Sequence, residues 1–89
     1  MKGRGFLRRR RRVDPTVRIT FRYNILPVAL IWRGRRRPVL AVERRWTVRK
    51  GWRHPRTRRY LQLRCPDGRY VVYQDLESRI WHLERVDPF

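Results

Sequence analysis

The sequence predicts an all-β fold: a small antiparallel, partly closed barrel of SH3-like or OB-like size, built from about six short strands. Two observations in the pattern predict it. Apolar residues alternate with polar ones over several short stretches separated by glycine- and proline-bearing turns, and no window of ten or more residues carries a 3.6-residue apolar period. The third observation is length. With a basic N-terminal arm set aside, about 77 residues remain, enough for one small domain with a single modest core. The chain therefore divides into an arm over residues 1–15 and one β domain over residues 16–89.

The first strand is expected over residues 16–23, where Val17, Ile19, Phe21 and Tyr23 alternate with Arg18, Thr20 and Arg22. Val28 to Trp32 is almost continuously apolar. Arg33-Gly34 then supplies a tight turn, and Pro38 to Val48 resumes with Leu40, Val42, Trp46 and Val48 on one side, so a hairpin is expected. Arg44 is the misfit on that face and marks either an edge or a bulge. Residues 49–57 lack periodicity and hold Gly51 and Pro55, which reads as a loop. Leu61, Leu63 and Cys65 alternate with Tyr60, Gln62 and Arg64. Pro66-Asp67-Gly68 makes a turn, with glycine suited to a positive φ, and two further strands follow at Tyr70 to Leu76 and Ile80 to Val86.

Charge is distributed in blocks. Residues 1–12 hold seven basic groups and no acid, residues 33–59 hold twelve against Glu43 alone, and residues 60–89 are one charge short of neutral on the acidic side. Nearly all of the net +18 thus lies in two segments. Such concentration destabilises a compact state by self-repulsion unless a polyanion neutralises it, and nucleic acid is the common polyanion. Arginine dominates the count, and its planar fork suits phosphate oxygens and base faces.

The candidate nucleic-acid-binding residues follow from this distribution. Arg8, Arg9, Arg10, Arg11 and Arg12 form an arm with nothing to bury, expected to be disordered when free and to lie along phosphates or in a groove when bound. Its bland alternatives are a solvated tail or an import signal. The second segment interleaves cations with tryptophan: Arg33, Arg35, Arg36 and Arg37 at a hairpin turn, Arg45 beside Trp46, then Arg49, Lys50, Trp52, Arg53, Arg56, Arg58 and Arg59. A turn and a loop at the ends of neighbouring strands are expected to form one continuous basic rim. Trp52 either stacks there on an unpaired base or caps the end of the domain. Trp32, Trp46 and Trp81 read as core.

Other chemistry is poorly supplied. Cys65 stands alone, so no internal disulfide is expected, and with His54 and His82 it has no zinc-ligand spacing. Ser78 is the single serine and the carboxylates occur singly beside arginine, so no nucleophile–base pair, two-metal acid set or glycine-rich phosphate loop can be assembled. The expectation is a non-enzyme with no cofactor, no metal and no small-molecule substrate. The longest apolar run, Ile25 to Trp32, is eight residues and contains Pro27, against roughly 20 needed to span a bilayer. No secretory signal is visible. A cytoplasmic setting is expected, nucleoid-associated if the source is bacterial.

Residues 58–64 (Arg-Arg-Tyr-Leu-Gln-Leu-Arg), Asp67-Gly68, Tyr73-Gln74-Asp75-Leu76 and Trp81-His82-Leu83-Glu84-Arg85-Val86-Asp87 together resemble a small bacterial domain of undefined activity. That domain occurs alone or at the C-terminus of the inactive Y-family polymerase-like subunit of the bacterial mutasome. The upstream hairpin, Pro27-Val28-Ala29 through Trp32-Arg33-Gly34 to Glu43-Arg44-Arg45-Trp46, is similar too, so the resemblance covers roughly residues 26–87. The family usually ends in an aromatic–aspartate pair, whereas Val86-Asp87 is followed here by Pro88-Phe89, and the Arg8–Arg12 arm has no counterpart. The resemblance implies an association with DNA damage tolerance and supplies no catalytic residues.

The function expected is therefore that of a nucleic-acid-binding accessory protein, phosphate-directed and with little sequence specificity. The resemblance favours DNA over RNA and a setting in repair or translesion replication. Two rivals remain: a ribosomal or ribosome-associated RNA-binding structural protein, and a protein-interaction module. In the second, the nearly neutral 60–89 hairpins would offer a sheet edge to a polymerase or clamp partner.

Overall fold

The computed structural model describes residues 13–89. They form β1 (Thr16–Arg22), β2 (Leu26–Trp32), β3 (Arg35–Pro38), β4 (Ala41–Lys50), β5 (Arg56–Cys65), β6 (Gly68–Asp75) and β7 (Trp81–Pro88). All pair antiparallel in one sheet of order β3-β2-β1-β7-β6-β5-β4. The all-β antiparallel class expected from the alternation is what the chain adopts, with seven strands rather than six.

The extra strand comes from residues 38–48, which divide in two. Val39 N–H donates to the Val28 carbonyl at 2.9 Å and Leu40 N–H to the Arg64 carbonyl at 2.7 Å, so within two residues the chain leaves β2 and joins β5. No ladder links β3 to β4. The sheet is open, with those two strands as its edges, and this short crossing is what draws the edges toward each other. The loop expected at 49–57 shrinks to residues 51–55, because Arg49 pairs with Thr57 and Lys50 with Arg56. Backbone pairing needs no apolar alternation, so a charged hairpin extends past the point where periodicity stops.

Three bulges bend the sheet: Val28 in β2, Glu43 in β4 and Glu84 in β7 are each left without a partner across the ladder. A bulge kinks its strand and exchanges the faces of every residue beyond it. Val42 stands opposite Leu63 and packs on the main core, but past Glu43 it is Arg45 that stands opposite Leu61, and Trp46 opposite Tyr60. The expectation that Val42, Trp46 and Val48 share a face is thereby corrected, and Arg44 is explained as the residue following the bulge.

The main core gathers Val17, Leu30, Leu61, Leu63, Cys65, Tyr70, Val72 and Leu83 on one face. Trp32 and Trp81 pack against its margin, half-buried, Trp32 edge-on to Tyr70 at 6.5 Å and Trp81 against Phe21 at 5.9 Å. The opposite face carries a second cluster of Tyr60, Val71 and Tyr73 with Trp46 and Val48 beside them. Hence the uninterrupted apolar run Tyr70-Val71-Val72-Tyr73, all buried: β6 is covered on both sides, as such runs require.

The turns obey local chemistry. Tyr23 and Asn24 at φ 56° and 60°, and Arg33 and Gly34 at φ 53° and 72°, each form the left-handed pair that two-residue hairpins favour. Gly68 serves a different purpose from the one expected. The turn consists of Pro66 and Asp67, and Gly68 opens β6 where a Cβ would lie 2.6 Å from the Asp87 carbonyl oxygen of β7. The described residues contain no helix, and so none long and apolar enough to cross a membrane.

Candidate nucleic-acid interface

The blocks of charge seen in the sequence partly cancel on folding, because the acids of the C-terminal third reach back to the basic segment. Asp67 pairs with Arg37 at 3.3 Å, and Asp75 and Glu77 both pair with Arg56, at 3.1 and 3.2 Å. Glu43 takes Arg69 at 2.8 Å and lies 3.8 Å from Arg64, and Asp87 takes Arg85 at 3.0 Å. Arg37 and Arg56 are thus committed within the domain rather than standing as free phosphate ligands. Arg37 is the clearer case: its side chain is 12 % exposed, its guanidinium also donates to the Trp32 carbonyl, and it lies 5.4 Å from the ring centroids of Trp32 and Tyr70. The Tyr70 hydroxyl, donating to Asp67 at 2.8 Å, and Arg37 together hold the Asp67 carboxyl below its ordinary range.

The expected continuous rim is two separate groups. The Arg37–Asp67 pair ties the β2–β3 hairpin to the β5–β6 turn at one end of the sheet. The β4–β5 loop lies at the other end, beyond a ten-residue strand roughly 33 Å long at 3.3 Å per residue. There it meets the β6–β7 turn, through Leu76 N–H donating to the Thr57 carbonyl at 3.0 Å. At the first end Arg33, Arg35 and Arg36 are exposed, with Arg33 4.5 Å from the Trp32 ring centroid.

At the second end stand Arg45, Arg49, Lys50, Arg53 and Arg59, all exposed and with no ion pair among the described residues. Trp52 projects from the loop, 83 % exposed, with the Arg53 guanidinium 5.3 Å from its ring. Of the two roles open to it, packing on the domain is excluded by that exposure. Arg58 turns to the outer face, half-buried, its guanidinium 4.4 Å from the Tyr73 ring centroid.

That outer face carries a row of rings across four adjacent strands. Trp46 and Tyr60 stack at 5.1 Å, Tyr60 and Tyr73 lie 5.1 Å apart, and Tyr73 and His82 stack at 5.2 Å. Arg44 caps the row at Trp46, 4.7 Å from its centroid, and Asp14 closes it at the other end, accepting from the Tyr73 hydroxyl at 2.9 Å. Tyr60 and Tyr73 are buried, so the row is a packed layer and no platform for bases. Residues 13 and 14 lie against this face, which sets the point where the chain from the arm enters the domain. Arg8 to Arg12 themselves lie outside the described residues.

One further cation at the loop end carries no signal in the sequence. Arg79, in the β6–β7 turn at φ 66°, belongs to a nearly neutral stretch and gives no signal by charge density. His54 is exposed in the loop and His82 serves the ring row, its Nδ1 3.2 Å from the Asp14 carbonyl oxygen. Among the described residues no group of three or more His, Cys, Asp or Glu is placed to hold a metal ion. Comparison with known protein families, characterised proteins and solved structures finds no match for this chain.

Proposed function

We propose that this protein binds nucleic acid, preferentially DNA, through phosphates and with little sequence preference, as an accessory to repair or translesion replication. The observation that carries the reading is the residue of charge left after folding. Five acids engage Arg37, Arg56, Arg64, Arg69 and Arg85, whereas Arg49, Lys50 and Arg53, with no ion pair among the described residues, flank in sequence a tryptophan held out into solvent. A guanidinium fork takes phosphate oxygens, and an exposed indole between cations takes an unpaired base. The preference for DNA and the damage-tolerance setting rest on the resemblance of residues 26–87 to the mutasome-linked domain.

The protein-interaction alternative narrows to β7: β5 and β6 are paired along both sides, whereas β1 covers only the start of β7, at Trp81 and His82, and the strand runs on to Pro88. The terminal strands β3 and β4 are guarded by Pro38 and by Arg35, Arg36, Arg44, Arg45 and Arg49, a composition that discourages strand addition there. The test is fluorescence anisotropy with a labelled 20-nucleotide single strand, its duplex and the RNA of the same sequence, titrated between 50 and 200 mM salt. Tight, salt-sensitive binding with DNA at least equal to RNA supports the reading. Affinity that does not change with salt ends it, and recovery with ribosomes at moderate salt together with an RNA preference transfers the protein to the ribosome-associated class.

A further inference from the structure

Between the β1–β2 turn and the β6–β7 turn the sheet forms a partly open cavity of about 450 Å³, a volume within the range of small-ligand sites. Its floor is apolar, made by buried Pro27 and Leu61, and Phe21 and Trp81 contribute aromatic wall. Three arginines from three elements line it: Arg45 of β4, Arg59 of β5 and Arg79 of the β6–β7 turn. No carboxylate lines it, and none of the three has an ion pair among the described residues.

The placement is built into the fold. The Glu43 bulge turns Arg45 onto the core face opposite Leu61. Arg59 follows on that face, paired with Gln74 across β6. Arg79 is pinned in its left-handed conformation by two hydrogen bonds, its N–H donating to the Asp75 carbonyl at 2.7 Å and its own carbonyl accepting from Gln74 Nε2 at 3.1 Å. A left-handed arginine is an unfavourable backbone choice, retained here at the mouth of a cationic cavity.

We infer that this cavity binds a phosphomonoester attached to a nucleoside, either the phosphorylated end of a strand or a free mononucleotide. A terminal phosphate carries close to two negative charges at neutral pH, against one for a backbone diester, and three uncompensated guanidiniums favour the former. The aromatic wall accepts the flat face of the base or the sugar beside it. Because the floor is closed by Pro27 and Leu61, a ligand enters from the rim, where the arginines stand and where Trp52 extends at the same end of the sheet. The inference rests on the phosphate-directed reading above and assigns it a preferred structure, the strand end.

The test is isothermal titration of the full chain with four probes: a ten-nucleotide single-stranded DNA bearing a 5′-phosphate, the same strand with a 3′-phosphate, the same strand with hydroxyls at both ends, and deoxyadenosine monophosphate. Arg59→Gln and Arg79→Gln are measured alongside, both exposed side chains whose loss leaves the core intact, with folding checked by circular dichroism. The expected result is a preference of about tenfold for a phosphorylated end over the hydroxyl end, the size of one charge-assisted contact, reduced to near unity in each variant. Binding of the mononucleotide alone with the same loss in the variants supports the pocket and names the free ligand as its source. Equal affinity for phosphorylated and hydroxyl ends, with no mononucleotide binding, overturns the pocket and leaves general phosphate binding standing. If the hydroxyl-ended strand fails to bind even at low salt, the general reading falls, and mononucleotide binding alone decides the pocket.

Discussion

Trp46 lies flat on Tyr60, with ring centroids 5.1 Å apart and planes 10° from parallel, on the face of the sheet opposite the main core. Tyr60 takes that face by the alternation of β5, but Trp46 owes it to the bulge at Glu43, without which Trp46 would stand among Val42 and Leu63 and Arg45 would point away from the cavity. The consequence is a sheet with two apolar layers, one aliphatic and one aromatic.

Trp46 is half-buried, so Trp46→Ala removes one stacked partner without opening the main core. The expected cost is about 2–3 kcal/mol, below the range for a fully buried tryptophan. Urea denaturation measures it. Leu63→Ala, at a fully buried site, should cost about 2–5 kcal/mol. A Trp46 loss clearly larger than the Leu63 loss would mean that the aromatic layer carries the domain.

Trp52→Ala should leave the melting temperature unchanged, since the ring is 83 % exposed. Single-strand affinity should fall by about 1–3 kcal/mol, and duplex affinity much less, because paired bases expose no face for stacking. Equal losses on both substrates would remove stacking from the mechanism while leaving the phosphate contacts.

Affinity should fall about 10³- to 10⁵-fold between 50 and 200 mM salt if the arm and the loop end together engage 6–10 phosphates. Deleting residues 1–12 removes seven basic groups and should flatten that slope. The melting temperature should hold, because among the described residues every buried apolar side chain lies between Val17 and Leu83. A marked loss of melting temperature on deletion would place the arm within the fold.

Burial pushes the Cys65 thiol up to about 11 from 9.0, and burial with the Asp14 hydrogen bond pushes Tyr73 up to about 12 from 10.0. In the folded protein both groups keep protons that the unfolded chain releases, so their contribution is complete below pH 9 and is lost as pH rises through 9 to 12. Stability should therefore decline on the alkaline side. At pH 8 the thiol should react with a disulfide reagent only as fast as the domain opens. Immediate labelling of the native protein would contradict the buried, neutral thiol.

The sequence by itself determined the class of the fold, because alternation is a local property: Leu61, Leu63 and Cys65 face one way whatever surrounds them, and Arg33-Gly34 forms its turn from two residues. It also placed Trp52 in a loop, since Gly51 and Pro55 bracket it in a stretch with no period, but left open whether the ring packs on the domain, and the fold turns it outward. Tertiary structure decided everything that depends on pairing between distant segments. The face of Trp46 and Arg45 turns on one unpaired residue, Glu43, and a bulge is set by the partner strand's register rather than by composition. Which arginines remain free was likewise undecided in the sequence, because Asp67 lies 30 residues from Arg37 and meets it only when the β2–β3 hairpin reaches the β5–β6 turn. Arg79 joins Arg45 and Arg59 for the same reason: an ion site is a matter of distance in space, and the three belong to elements that only the folded sheet brings to one end.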